Sequence, residues 1–233
     1  MPALPVMMIK DLEKEKFLAA KEAVRFIEPQ QIIGLGTGST AFYVIREVGE
    51  MVQKGLRIKA VATSKKTEEL AASFGIPLLN LDEVDAIDVT IDGADEFDTE
   101  LNLIKGGGGA LLREKMVARL SRQEIIIADS SKKVEVLGAF KVPIEVTPFT
   151  INFVMKRIMQ IGGTGKIRER NGAQFITDTN NLIIDADFGE ITNPVELSDK
   201  IDRIEGVVCH GLFVNLVSQV IMGDGNKTFL FVK

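Results

Sequence analysis

Between residues 12 and 128, short unbroken apolar runs alternate with stretches of helical period, and this alternation constrains the chain more than any other feature. An apolar run without polar interruption suits a strand buried on both faces, and strands separated by helices pair in parallel. Residues 12–27 place Phe17, Ala20, Val24 and Ile27 on one helical stripe. Gln31–Leu35 reads as a buried strand, followed by a helix capped by Ser39 that carries Phe42, Ile45, Val48 and Val52 and ends near Gly55. Ile58–Ala62 is the next strand, 65–74 a helix closed by Gly75, Ile87–Ile91 a strand, 110–120 a helix and Glu124–Ala128 a strand. The pattern predicts an α/β fold, a parallel Rossmann-like sheet with helices on both faces.

The pattern changes after Pro143. A helix near 150–160, an antiparallel hairpin of 173–177 and 182–187 around Asp178-Thr-Asn-Asn181, and a helix from Pro194 to about Ile204 predict a smaller α+β subdomain. The last segments, 207–214 and 228–232, are strand-rich and are expected to rejoin the first sheet. The expected organisation is therefore an α/β domain from residues 1–142 and 206–233, with an α+β subdomain at 143–205. The apolar stretch Met1–Ile9 has no basic flank and meets charged residues at once, so a loosely held tail is expected, not a signal or a membrane span.

Composition narrows the chemistry. With 28 Lys+Arg against 33 Asp+Glu the formal charge is −5, which argues against a protein whose main work is sequence-independent nucleic-acid binding. One cysteine, Cys209, and one histidine, His210, exclude an internal disulfide framework, a multi-cysteine zinc site and any site needing two imidazoles. Acid–base chemistry must then rest on carboxylates and lysines, and a cytosolic location is expected.

Three constellations stand at strand ends. Gly34-Leu-Gly-Thr-Gly-Ser-Thr40 joins a strand to a helix, where backbone N–H groups, the helix dipole and the hydroxyls of Thr37, Ser39 and Thr40 suit a phosphate. A plain strand-to-helix turn is the other reading; the loop is neither a dinucleotide fingerprint nor a Walker A motif. Asp92-Gly93-Ala94-Asp95 follows a strand and sets two carboxylates three residues apart, either converging on a pocket or simply forming a turn. Lys105-Gly106-Gly107-Gly108-Gly109 strips a loop of side chains beside a cation, at an entropic cost that suits close approach of a ligand. On the following helix Leu112, Met116 and Leu120 form the expected core stripe. Glu114 then falls on the opposite face, which periodicity reads as solvated; a base facing a cleft is the alternative. Asp129-Ser-Ser-Lys-Lys133 is a weaker candidate for supplying a cation.

Taken in order and spacing, Gly-x-Gly-Thr-Gly-Ser-Thr40, Thr-Ile-Asp-Gly-Ala-Asp95, Leu-Ile-Lys-Gly-Gly-Gly108, Arg-Glu-Lys115 and Ala-Asp-x-Ser-Lys132 resemble the ribose-5-phosphate isomerase A family from about residue 12 onward. An N-terminal extension and a fourth glycine, Gly109, depart from the pattern and are expected to be neutral. The resemblance implies interconversion of D-ribose 5-phosphate and D-ribulose 5-phosphate through an enediolate, in the pentose phosphate pathway. It implies Glu114 as the base, Asp92 in ring opening and Asp95 on the sugar hydroxyls. Lys105 with the N–H groups of Gly106, Gly107 and Gly108 would stabilise the oxyanion. Thr37, Gly38, Ser39 and Thr40 would hold the phosphate, with Lys132 as a further substrate-binding lysine. No cofactor, metal, nucleic acid or membrane is implied, and the protein is expected to be a cytoplasmic homodimer or higher homo-oligomer. Two other readings stand beside it: acyl or coenzyme A transfer with Glu114 as nucleophile, and a non-catalytic sugar-phosphate sensor.

Overall fold

The computed structural model describes residues 11–233; Met1–Ile9, and with them the expected tail, lie outside the described residues. Among the described residues six α-helices are formed: α1 (Leu12–Ala23), α2 (Ser39–Gln53), α3 (Lys65–Ser73), α4 (Leu111–Leu120), α5 (Ile151–Gln160) and α6 (Pro194–Asp202). Local chemistry starts several of them. Asp11, Ser64 and Asn193 each accept a hydrogen bond from the backbone N–H three residues on, at the heads of α1, α3 and α6.

The central sheet has six strands, in spatial order Lys227–Val232, Gln219–Asp224, Ser121–Asp129, Ile87–Gly93, Ile32–Leu35 and Lys59–Ala62. All pair in parallel except the edge strand Lys227–Val232, which is antiparallel to its neighbour. The apolar runs explain the layering. Ile33, Leu35, Val89, Ile91, Ile125 and Ile127 pack with residues of α1, α2 and α3. Ile126, Ala128, Val220 and Met222 pack on the other side with Ala118 of α4, Phe97 and Phe213. From Ile32–Leu35 the chain crosses to Lys59–Ala62 on one side, then returns to Ile87–Gly93 on the other. Such a reversal opens a crevice at the carboxyl ends of the two strands, here at Gly36 and Asp92.

A second sheet runs Val207–His210, Val142–Val146, Leu182–Asp187 and Thr164–Ile167, all antiparallel. Its core is Ile144, Val146 and Ile184 packed with Val154 and Ile158 of α5 and Ile201 of α6. A three-stranded sheet of Leu212–Phe213, Leu103–Ile104 and Glu96–Phe97 links the glycine-loop region to the return segment.

Several expectations need correction. The strand Val142–Val146 is not evident in sequence because Pro143 interrupts it. Proline is tolerated there because it lies one residue beyond the last pairing with the neighbouring strand, His210 with Ile144. The expected hairpin of 173–177 with 182–187 reduces to a single bridge between Ile176 and Leu182, and Leu182–Asp187 pairs instead with strands far away in sequence. Val207–His210 joins the second sheet, and only the hairpin Gln219–Val232 rejoins the first. Helix α2 begins at Ser39, with Gly38 in the cap position and no side-chain cap.

The largest revision concerns α4. Its buried residues are Leu111, Glu114, Lys115, Val117 and Ala118, while Met116, assigned to the core stripe, is 45% exposed. The reason is that α4 packs on more than one side. Val117 meets Val61 and Ile87, Ala118 meets Ile126, and Leu111 meets Ile183 of the second sheet. A helix enclosed this way buries polar positions as well as an apolar stripe, and each must find a partner. Lys115 donates to the Leu212 carbonyl at 3.0 Å.

Candidate active site

A cleft of about 200 Å³ opens at the crevice between the two central strand ends. Its walls include Thr37–Thr40, Gly93–Asp95, Lys105–Gly108, Glu114 and Lys132, so all three constellations and the weaker fourth meet in one place. Asp92 lies directly behind the wall, 1% exposed, as the penultimate residue of its strand.

Lys105 is the centre of the arrangement and is itself 1% exposed. Its Nζ lies 2.9 Å from Asp92 Oδ2 and 3.0 Å from Glu114 Oε1, and it also donates to the Gly93 carbonyl. An ammonium has three protons, and these three oxygens surround it. Burial alone would weaken its charge, but Asp92 and Glu114 more than reverse this and hold Lys105 well above the usual lysine range.

Glu114, 5% exposed, behaves differently. Burial raises its pKa, opposed by Lys105 and assisted by the Asp92 charge, and the result is about 7. Its Oε2 is buried and has no hydrogen-bond partner, whereas Asp92 Oδ2 is ion-paired to the Lys105 ammonium at 2.9 Å. Glu114 thus presents one oxygen not committed to a hydrogen bond, while both oxygens of Asp92 are held, one by the loop N–H groups and one by Lys105. Glu124, on the neighbouring strand, is raised well above the ordinary carboxylate range by burial and by the Asp92 charge.

The other oxygen of Asp92 holds the loop. Oδ1 accepts from the N–H of Thr37 at 3.0 Å and of Gly93 at 2.7 Å. This requires glycine at position 36, where a Cβ would lie 2.1 Å from that same oxygen. Thr37 departs from expectation. Its hydroxyl is taken up by Thr63 at 2.7 Å, Ser64 at 2.9 Å and Thr67 at 3.1 Å, so although Thr37 lines the cleft with Gly38, Ser39 and Thr40, that hydroxyl braces the loop. With no side chain capping α2, its first-turn N–H groups remain for an anion.

In the glycine loop, Asp95 Oδ2 accepts from the Gly107 N–H at 2.7 Å, so that donor is engaged by the protein. Gly109 is not neutral. It sits at φ +90°, and the Phe175 ring lies 2.4 Å from where a Cβ would be. Of the two readings of Glu114, the base facing a cleft is the one its position fits.

Sequence reasoning missed the contribution of α1. Leu12 and Lys16 line the cleft, and Lys16 adds a second cation to the wall that holds Lys132. Glu15, fully buried, accepts from Ser130 N–H at 2.9 Å and Gly225 N–H at 2.8 Å, which fixes the loop carrying Lys132. No signal in the α1 sequence marks these positions, because they reach the site only through packing on the sheet. Among the described residues no cluster of three or more His, Cys, Asp or Glu could hold a metal ion.

Comparison with known proteins agrees with this geometry. Residues 59–227 match the family model of ribose 5-phosphate isomerase A (phosphoriboisomerase A). Ribose-5-phosphate isomerase A of Bacillus mycoides is 50% identical over 212 residues, covering 91% of this chain and 96% of that protein. The Streptococcus gordonii protein of the same name is 47% identical over 212 residues, with 91% and 94% covered. A solved structure of D-ribose-5-phosphate isomerase in complex with phospho-erythronic acid superposes with a TM-score of 0.93 at 38% identity, over 96% of this chain and 100% of that one. Ribose 5-phosphate isomerase A from Methanocaldococcus jannaschii gives 0.90 at 39% identity, over 95% and 99%. With a family model spanning most of the sequence and near-full-length relatives in both comparisons, the chain belongs to the ribose 5-phosphate isomerase A family.

Proposed function

We propose that this protein interconverts D-ribose 5-phosphate and D-ribulose 5-phosphate, with the cleft as its active site. The observation that carries the reading is the buried Glu114 Oε2, free of any hydrogen bond, beside one fixed ammonium, Lys105, that ion-pairs both Glu114 Oε1 and Asp92 Oδ2.

The chemistry follows from that arrangement. Asp92 Oδ2 moves the proton of the anomeric hydroxyl to the ring oxygen as the C1–O4 bond breaks and C1 becomes a carbonyl. Glu114 Oε2 then takes the proton from C2, and the released electron pair forms a C1–C2 double bond with negative charge on O1. Lys105 Nζ and the Gly108 N–H stabilise that oxygen, a preorganised electrostatic site. Glu114 returns its proton to C1 while the C2 hydroxyl proton passes to O1, which leaves the ketose. A base with a pKa of about 7 suits both directions of this transfer near neutral pH. The phosphate lies against Ser39, Thr40 and the α2 N-terminus, with Lys16 and Lys132 supplying charge. Asp95 and the Gly93–Ala94 segment hold the sugar hydroxyls. Phospho-erythronic acid, bound by the relative above, combines a phosphate with a planar pair of oxygens, the two features this cleft suits. The family reading also brings a place in the pentose phosphate pathway, a cytoplasmic location and a homo-oligomeric state, the last testable by light scattering. No helix among the described residues is long and apolar enough to cross a membrane.

The test is incubation with D-ribose 5-phosphate in the presence of a chelator, following ketose formation, with Glu114→Gln as control. Conversion by the wild type alone supports both reaction and base. Conversion by both keeps the reaction and removes Glu114 from its role. No conversion by folded wild type favours transferase or sensor function.

A further inference from the structure

Arg168 lies in the second sheet region, between the strands Thr164–Ile167 and Glu169–Arg170, and its side chain is only 10% exposed. All three nitrogens of its guanidinium are engaged. Nε donates to Asp185 Oδ2 at 3.0 Å and Nη2 to Asp185 Oδ1, a two-point grip that fixes the plane of the group. Nη1 reaches across to the glycine loop and donates to the carbonyls of Gly106 at 2.8 Å and Gly107 at 3.1 Å.

These two carbonyls belong to the peptide units whose N–H groups are on Gly107 and Gly108. In a planar trans peptide the C=O and N–H point in opposite directions. Fixing both carbonyls toward Arg168 therefore turns both N–H groups the other way. The first of these confirms the direction, since the Gly107 N–H meets Asp95 Oδ2, a residue of the cleft wall, at 2.7 Å. The second, on Gly108, is thereby aimed to the same side, and Gly108 lines the cleft. Four glycines in succession offer the loop no side-chain restraint of its own, and rotation of a single peptide unit would replace an N–H by a carbonyl oxygen. A cation on the carbonyl also polarises the peptide and strengthens its N–H as a donor.

We propose that Arg168 is a positioning residue for the isomerisation, which holds the Gly107–Gly108 peptide so that the Gly108 N–H faces the oxygen that becomes negative in the enediolate. This rests on the isomerase reading above. Arg168 acts through the loop and reaches it from a different sheet, so the second sheet takes part in the chemistry of the first.

The experiment compares wild type, Arg168→Met and Arg168→Lys for kcat and KM with ribose 5-phosphate. It also measures inhibition by phospho-erythronic acid, which presents planar oxygens to the loop, and by inorganic phosphate, which does not. A mis-aimed donor is expected to lower kcat by about 10–100-fold in Arg168→Met. Phospho-erythronic acid affinity should fall in the same variant, with inorganic phosphate inhibition within about twofold of wild type and partial recovery in Arg168→Lys. Unchanged kcat in folded Arg168→Met overturns the proposal, as does an equal loss of phosphate affinity, which signals a collapsed site. Should Arg168→Met not fold, Asp185→Asn, which loosens the grip but keeps the cation, is judged by the same criteria. Failure of the wild type to isomerise would instead refute the isomerase reading itself.

Discussion

Glu114→Gln should make the protein more stable while nearly abolishing turnover, and the size of the gain should depend on pH in a definite way. The carboxyl is moved from an ordinary value of 4.5 to about 7, chiefly by burial. Between those values the folded protein binds more protons at Glu114 than the unfolded chain does. Stability therefore falls as pH rises through this window, and the loss is complete above about 7. At about 1.36 kcal/mol per pH unit, the ionised carboxylate costs the folded state about 3 kcal/mol at pH 8. Glutamine has the shape of the protonated acid and never ionises. Urea unfolding of wild type and Glu114→Gln from pH 4.5 to 8.5 should give similar stabilities at the acid end and an advantage to the variant that grows to about 3 kcal/mol at pH 8. Groups away from this cluster are common to both proteins and cancel in the difference, whereas Glu124, raised in part by the Glu114 charge, does not cancel fully. In parallel kcat should fall at least about 100-fold. Wild-type kcat/KM should decline about tenfold per pH unit well below 7, as the ionised base is lost. A stability difference that is flat across this range, or that favours wild type at pH 8, would refute the burial argument for Glu114.

Asp92→Asn keeps an acceptor for the Thr37 and Gly93 N–H groups but cannot move the ring proton. It should impair the cyclic sugar more than an open-chain analogue, and equal losses on both in steady-state assays would count against ring opening as its task. Gly109→Ala places a Cβ against the Phe175 ring at positive φ and should destabilise by about 2–4 kcal/mol in chemical denaturation, with partial relief from Phe175→Ala. A loss under about 0.5 kcal/mol would show that the loop relaxes freely. D-ribose without its phosphate should lose kcat as well as affinity, because binding at the phosphate wall orients the reacting carbons; a change in KM alone would contradict this.

What was legible in the sequence was what short stretches encode by themselves. The buried strands, the glycine loops at their carboxyl ends and the acidic Asp92–Asp95 segment are local patterns, and the crevice between strands gathers them. What was not legible depends on neighbours distant in sequence. Glu114 looked solvated because periodicity assumes a helix with one buried face, whereas α4 is enclosed on more than one. The hydroxyl of Thr37 looked available because Thr63, Ser64 and Thr67, which satisfy it, belong to another strand end and helix. Pro143 concealed a strand whose pairing simply avoids the missing N–H. Lys16 and Arg168 carry no motif, and their positions near the site are products of packing alone.

The contact between Glu15 and Gly225 spans 210 residues of sequence. During synthesis on the ribosome, α1 emerges long before the hairpin Gln219–Val232 against which it docks, so its buried carboxylate can meet Ser130 N–H before the Gly225 N–H exists. The same carboxylate fixes the loop that carries Lys132, and its helix supplies Lys16, so the cationic wall of the cleft leans on a helix that the C-terminal hairpin clamps. Removing the hairpin Gln219–Val232 should therefore loosen α1 and weaken retention of a phosphorylated sugar, while every residue of the base and the glycine loop stays in the chain.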